Sequence, residues 1–161
     1  MGWVTLTLRK TELKRTHSEY QKQLLDISRE KRKMARQYHY EQSLVNSEKS
    51  RTRNDLTTAY QAKRKELNDS LASGTLTDEE KANIQNQLTY ARDDYQNELN
   101  TRITDFEEEY AMIEDEANDV ETSLDQEQVQ IEAQLEAISA EIEAVGEAIS
   151  SQIQASTIKL S

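Results

Sequence analysis

The sequence predicts an all-α protein, a long antiparallel coiled-coil helical hairpin preceded by a short extended/β segment. Three observations carry that expectation. Apolar residues recur at steps of three and four along most of the chain, turn signals cluster at one place, and the halves on either side carry opposite charge. The 161 residues include only three Gly and no Pro, so the chain has few of the residues that mark turns. Its hydrophobic fraction of 35% lies below the roughly 45–50% of compact domains. With 32% charged residues, that leaves disorder or long helices that bury a narrow stripe, and the periodicity selects the helices.

The first arm, residues 10–73, steps through Leu13, Tyr20, Leu24, Ile27, Met34, Tyr38 and Val45. His17, Lys31 and Glu41 fall on the missing beats, and a polar stretch from Asn46 to Asp55 precedes Leu56, Tyr60, Leu67 and Leu71. This is the spacing of a coiled-coil seam rather than of a globular helix face. The break comes at residues 74–77. Gly74 suits the left-handed residue that closes a helix, and Thr77 with Glu80 three residues later makes a capping box. Asp78 and Glu79 add negative charge at the positive end of the next helix dipole.

The second arm, residues 78–155, is more regular. It places Tyr95, Phe106, Ile113, Leu124, Ile131 and Ile138 on one stripe, with an eleven-residue step from Val120 to Ile131 that locally relaxes the supercoil. Folding at Gly74 so that facing residue numbers sum to about 151 brings seven seam pairs into register. They are Leu13 with Ile138, Tyr20 with Ile131, Ile27 with Leu124, Met34 with Ala117, Tyr38 with Ile113, Val45 with Phe106 and Leu56 with Tyr95. Residues 1–74 carry net +7 and residues 75–161 net −18. The arms are therefore expected to neutralise each other, with Arg29, Arg32 and Arg36 beside Asp115 and Asp119. Exposed pairs contribute a few tenths of a kcal/mol each, so charge selects register more than it stabilises.

The ends differ from the rod between them. Trp3-Val4-Thr5-Leu6-Thr7-Leu8 alternates apolar and polar residues and is dense in β-formers, so residues 1–9 read as an extended docking segment. Val4, Leu6 and Leu8 would then add to a sheet edge on a partner; the alternative is an irregular start to the first helix. Toward the other end, Ile142, Val145, Ile149 and Ile153 lie on a face wider than one partner helix needs. Residues 156–161 read as a tail. Because the seam has polar gaps, the hairpin is expected to need other protein subunits, in a homo- or hetero-oligomer.

Little in the sequence points to chemistry. There is no Cys, and the two histidines, His17 and His39, are too far apart on one helix to share a metal. The acidic runs Glu107-Glu108-Glu109 and Glu114-Asp115-Glu116 lack the glycine and spacing of a calcium loop and read as a solvated face. No phosphate loop or nucleophile motif occurs, so neither an enzyme nor a cofactor is expected. The basic run Arg29 to Arg36 resembles a basic-zipper helix in outline, but helix one lacks a sustained Leu zipper, so nucleic acid is not the expected partner. Five of the seven tyrosines (Tyr20, Tyr38, Tyr60, Tyr95 and Tyr110) fall on the seam and read as core. No window is apolar enough to span a bilayer, and the first ten residues lack the basic region and cleavage site of a secretory signal. The resulting expectation is a structural component of a large assembly, a phage virion or similar bacterial machine, located in the virion or cytoplasm. The alternative is a stalk or chaperone-like hairpin acting on an ATPase, a secretion complex or a client protein.

Overall fold

The computed structural model describes residues 2–157 in full and the helical backbone of 158–160. These residues form two α-helices, α1 (Trp3–Leu71) and α2 (Asp78–Leu160), and no strand. Contacts divide them into two compact units. A terminal unit takes the chain up to Arg36 and from Ala117 onward, and a turn unit takes Gln37–Glu116. Within each unit an α1 segment packs antiparallel on an α2 segment, so the fold is a two-helix hairpin.

The turn closes as its residues dictate. After Leu71 the amide of Ala72 still donates to Asn68 O at 3.0 Å, and both the amide and hydroxyl of Ser73 reach Ser70 O. Gly74 then takes φ +75°, a left-handed conformation that costs any other residue steric strain. Thr77 accepts from the Glu80 amide through Oγ1, and the Thr77 amide donates back to Glu80 Oε2, both at 3.3 Å. These reciprocal bonds satisfy two of the amides left orphaned at a helix start. Helix one ends at Leu71, the last residue of its apolar series and two before the expected boundary at 73, because Ala72 and Ser73 form the turn.

The extended segment expected at residues 1–9 is not formed over Trp3–Arg9, and its first residue lies outside the described ones. Trp3, Val4, Thr5, Leu6, Thr7 and Leu8 make the first turns of α1, and the Leu6 amide donates to Gly2 O at 3.2 Å. The threonines that favoured a strand are accommodated by back-bonding. Thr7 Oγ1 donates to Trp3 O at 2.8 Å and Thr11 Oγ1 to Thr7 O at 3.0 Å. A lone strand would leave its backbone groups without partners in this chain, whereas the helix satisfies them locally. At the other end the tail expected from residue 156 is helical as far as Leu160.

In the terminal unit Leu13, Ile27 and Leu124 are buried, and in the turn unit Tyr38, Val45 and Leu67. Each contributes about 1.5–3 kcal/mol, and no buried side chain among the described residues is polar. The repeat differs between units. On α1 of the terminal unit, Leu13, Tyr20, Ile27 and Met34 recur every seven residues; in the turn unit Val45, Leu56 and Leu67 recur every eleven. On α2 of the turn unit Ile84, Tyr95 and Phe106 also recur every eleven, so the two stripes drift together and stay in contact. The polar stretch Asn46 to Asp55 does not interrupt this stripe. Lys49 and Thr52 are half-buried, and Lys49 lays its stem on the seam while its ammonium lies 3.5 Å from Glu107.

Contacts between the helices place the register at the expected sum or slightly beyond it. Facing residue numbers total 150 for Arg9 and Glu141 and 159 for Lys31 and Gln128. The Tyr60–Tyr95 stack totals 155, with ring centroids 4.6 Å apart and planes 10° from parallel. Tyr95 shares a groove with Leu56, its expected partner, but stacks on Tyr60 one turn away and meets the Thr57 hydroxyl at 2.9 Å. A seam residue therefore sits between two residues of the facing helix, as a knob does in its hole.

Two substitutions check the turn. Thr77→Ala removes one half of the capping box and is expected to cost about 1 kcal/mol. Gly74→Ala forces a β-carbon into the left-handed region and costs about 1 kcal/mol as well, although the space around it is empty. Urea unfolding followed by circular dichroism measures both; an unchanged midpoint in either variant contradicts the assignment.

Candidate docking surfaces

Every residue expected on the seam is at least half covered, and so is withdrawn from partner contact. Leu13, Ile27, Tyr38 and Leu124 are buried; Tyr20, Leu24, Met34, Leu56, Tyr95, Phe106, Ile113, Ile131 and Ile138 are half-buried. Among the residues expected to dock partners, Trp3, Val4, Leu8 and Ile153 are exposed. Leu6, Ile142, Val145 and Ile149 are half-buried. The helical start of α1 explains this division. Leu6 continues the three-and-four spacing back from Lys10 and Leu13, while Val4 and Leu8 fall on another face.

The charge pairs form elsewhere than expected. Among the described residues, the ion pairs joining the helices are Arg9 with Glu141 at 2.8 Å, Lys49 with Glu107, and Lys31 with Asp125. Lys31 also donates to Gln128 Oε1 at 2.7 Å. Lys31 and Lys49 are half-buried residues on the seam stripe, from which a long side chain can cross to the facing helix. Arg29, Arg32, Arg36, Asp115 and Asp119 are all exposed, on the outward positions of their helices. Arg29 lies 3.8 Å from Asp26, and Arg32 donates to Ser28, both on its own helix. The basic and acidic arms therefore neutralise each other only on or beside the seam, and Arg29, Arg32, Arg36, Asp115 and Asp119 stay on outward positions. Arg29, Arg32, Lys33 and Arg36 together line a shallow groove on α1.

A third surface lies in the turn unit. Leu56, Ala59, Tyr60 and Lys63 of α1 and Gln87, Tyr90, Ala91, Asp94, Tyr95 and Glu98 of α2 line a groove of about 470 Å³. Tyr60 and Tyr95, expected on the seam, stack on each other across it, are half-buried, and line this groove as well. Tyr90 is 72% exposed and had no expected role. Its signal in the sequence is an aromatic off the seam stripe, with carboxylates four and eight residues later on the same helical face.

Among the described residues Arg9 and Tyr38 have pKa values raised above their ordinary ones. The Arg9 guanidinium is held further toward its charged form by its hydrogen bond to Glu141, then by the charges of Glu141 and Glu12. Burial raises Tyr38 above its ordinary value of 10.0, with Glu116 and Glu41 adding to the shift. His17 is half-buried and His39 exposed. Among the described residues no helix is long and apolar enough to cross a membrane, and no three potential metal-ligating side chains gather.

The Tyr38 shift has a pH consequence. A raised folded-state value means that its contribution to stability is intact below 10.0 and is lost as pH rises through the folded value. Urea midpoints at about pH 9 and about pH 11 are expected to fall in the parent protein and to fall less in Tyr38→Phe, which has no phenol to ionise. Equal losses would remove Tyr38 as the cause.

Comparison of the chain with protein-family models, curated proteins and solved structures gives no match.

Proposed function

We propose that this chain is a non-catalytic coiled-coil structural protein, a rod that bridges or docks subunits within a large multi-subunit assembly such as a phage virion or a comparable bacterial machine. One observation carries the reading, the imbalance between what the hairpin buries and what it leaves exposed. Among the described residues the buried core comprises six side chains, whereas Trp3, Val4, Leu8, Leu25, Tyr40, Leu44, Tyr90, Met112, Val129 and Ile153 stand exposed. The accessible surface is 12145 Å², against about 8,200 Å² for a compact monomer of this mass. Burying those apolar groups on a partner supplies stability that the narrow seam does not.

The exposed apolar side chains at the start of α1, with Ile153 near the end of α2, supply one docking surface on this reading. Ion pairs across the hairpin hold the register of the rod and add little stability, since the carboxylate of each pair is exposed. The partner is another protein subunit, identical or different.

Sedimentation of the purified chain over a concentration series tests the proposal. The expected result is association that grows with concentration and is accompanied by rising helix content. A monomer that stays fully helical and unfolds cooperatively at low concentration would refute it. Cross-linking and mass spectrometry of the native complex then identify the subunits and decide whether they belong to a virion.

A further inference from the structure

The tyrosine groove beside the turn is left unused by a reading based on apolar burial alone. Tyr60 is fixed by its stack on Tyr95, and Tyr90 stands with most of its ring in solvent. Asp94 and Glu98 outnumber Lys63, the groove's own cation, so the site keeps one unbalanced negative charge. Aromatic faces next to carboxylates suit a guanidinium better than an ammonium. The planar, weakly hydrated guanidinium lies on a tyrosine face while its forked N–H donors pair with a carboxylate.

The same sequence carries the matching group. Arg29, Arg32 and Arg36 occupy one exposed face of α1 at spacings of three and four, with Lys33 between them. Asp26 and Ser28, on the same helix, are the side-chain partners of Arg29 and Arg32, and Arg36 has none among the described residues. We propose that the arginine face of one copy docks into the tyrosine–carboxylate groove of a second copy of this chain. The proposal rests on the assembly reading above and names the partner and the surfaces. Because the two patches differ, the contact is heterologous and can repeat from copy to copy into a ring or filament. A nucleic-acid phosphate would suit the arginine face but leaves the groove empty, and the chain's net charge of −11 opposes a polyanion at longer range. One occupant accounts for both surfaces.

The test uses the full chain and two variants, Tyr90→Ala and the double variant Arg32→Ala with Arg36→Ala. All three altered side chains are exposed, and circular dichroism checks that helix content is unchanged. Sedimentation velocity is expected to show self-association weakened about tenfold or more in each variant. Mixing the two variants in equal amounts restores a heterodimer, since one keeps the arginine face and the other keeps the groove. Parent-like association of both variants, or failure of the mixture to recover, overturns this contact and leaves the assembly reading intact. A parent chain that is monomeric throughout overturns both. If a DNA oligonucleotide binds with steep salt dependence, loses affinity in the arginine variant and leaves Tyr90→Ala unaffected in association, the arginine face serves nucleic acid and the proposal falls.

Discussion

The structure depends on one narrow line of contact, the apolar seam between α1 and α2. Isolated helices pay for ordering each residue with little more than their own hydrogen bonds, so a long helix in water is sustained mainly by the face it buries. Here that face is one or two side chains wide, and among the described residues no side chain in it is fully buried. Continuity replaces depth. Apart from the step from Tyr60 to Leu67, a half-buried or buried residue returns every three or four positions, and where no apolar residue stands, Lys31, Lys49 or Thr52 keeps the line covered.

That continuity also requires the two helices to drift at the same rate. Seven-residue and eleven-residue spacings rotate a stripe in opposite senses relative to a straight helix. In the turn unit both helices use eleven, at Val45, Leu56 and Leu67 on one side and Ile84, Tyr95 and Phe106 on the other. A mismatch would carry one stripe away from its partner within a few turns. The Tyr60–Tyr95 stack and the Thr57–Tyr95 hydrogen bond fix one layer of this unit, with a bulky ring where smaller side chains would leave a gap.

Electrostatics plays a secondary part in the hairpin and a larger one at its surface. Cross-helix ion pairs start from residues on or beside the seam, such as Lys31, whose stem is already packed. Arginines and carboxylates on outward positions cannot reach across, so the opposite charges of the arms remain on view. Arg29, Arg32 and Arg36 on α1 and Asp115 and Asp119 on α2 therefore stay exposed to solvent.

The sequence by itself determined the helical class, the single reversal at Gly74 and the composition of the seam. Each of these follows from local chemistry: the period of the apolar residues, a glycine that accepts a left-handed conformation, and a Thr-x-x-Glu pair that caps a helix. Only the tertiary structure decided the rest. Alternation in Trp3–Leu8 is compatible with strand or helix, and the helix prevails because it satisfies the backbone within the chain. Net charge per arm does not say which carboxylate an arginine can reach, and that depends on which side of the helix each residue occupies once the seam is set. The groove at Tyr60, Tyr90 and Tyr95 brings together residues from both arms, and it exists only because the register stacks Tyr95 on Tyr60.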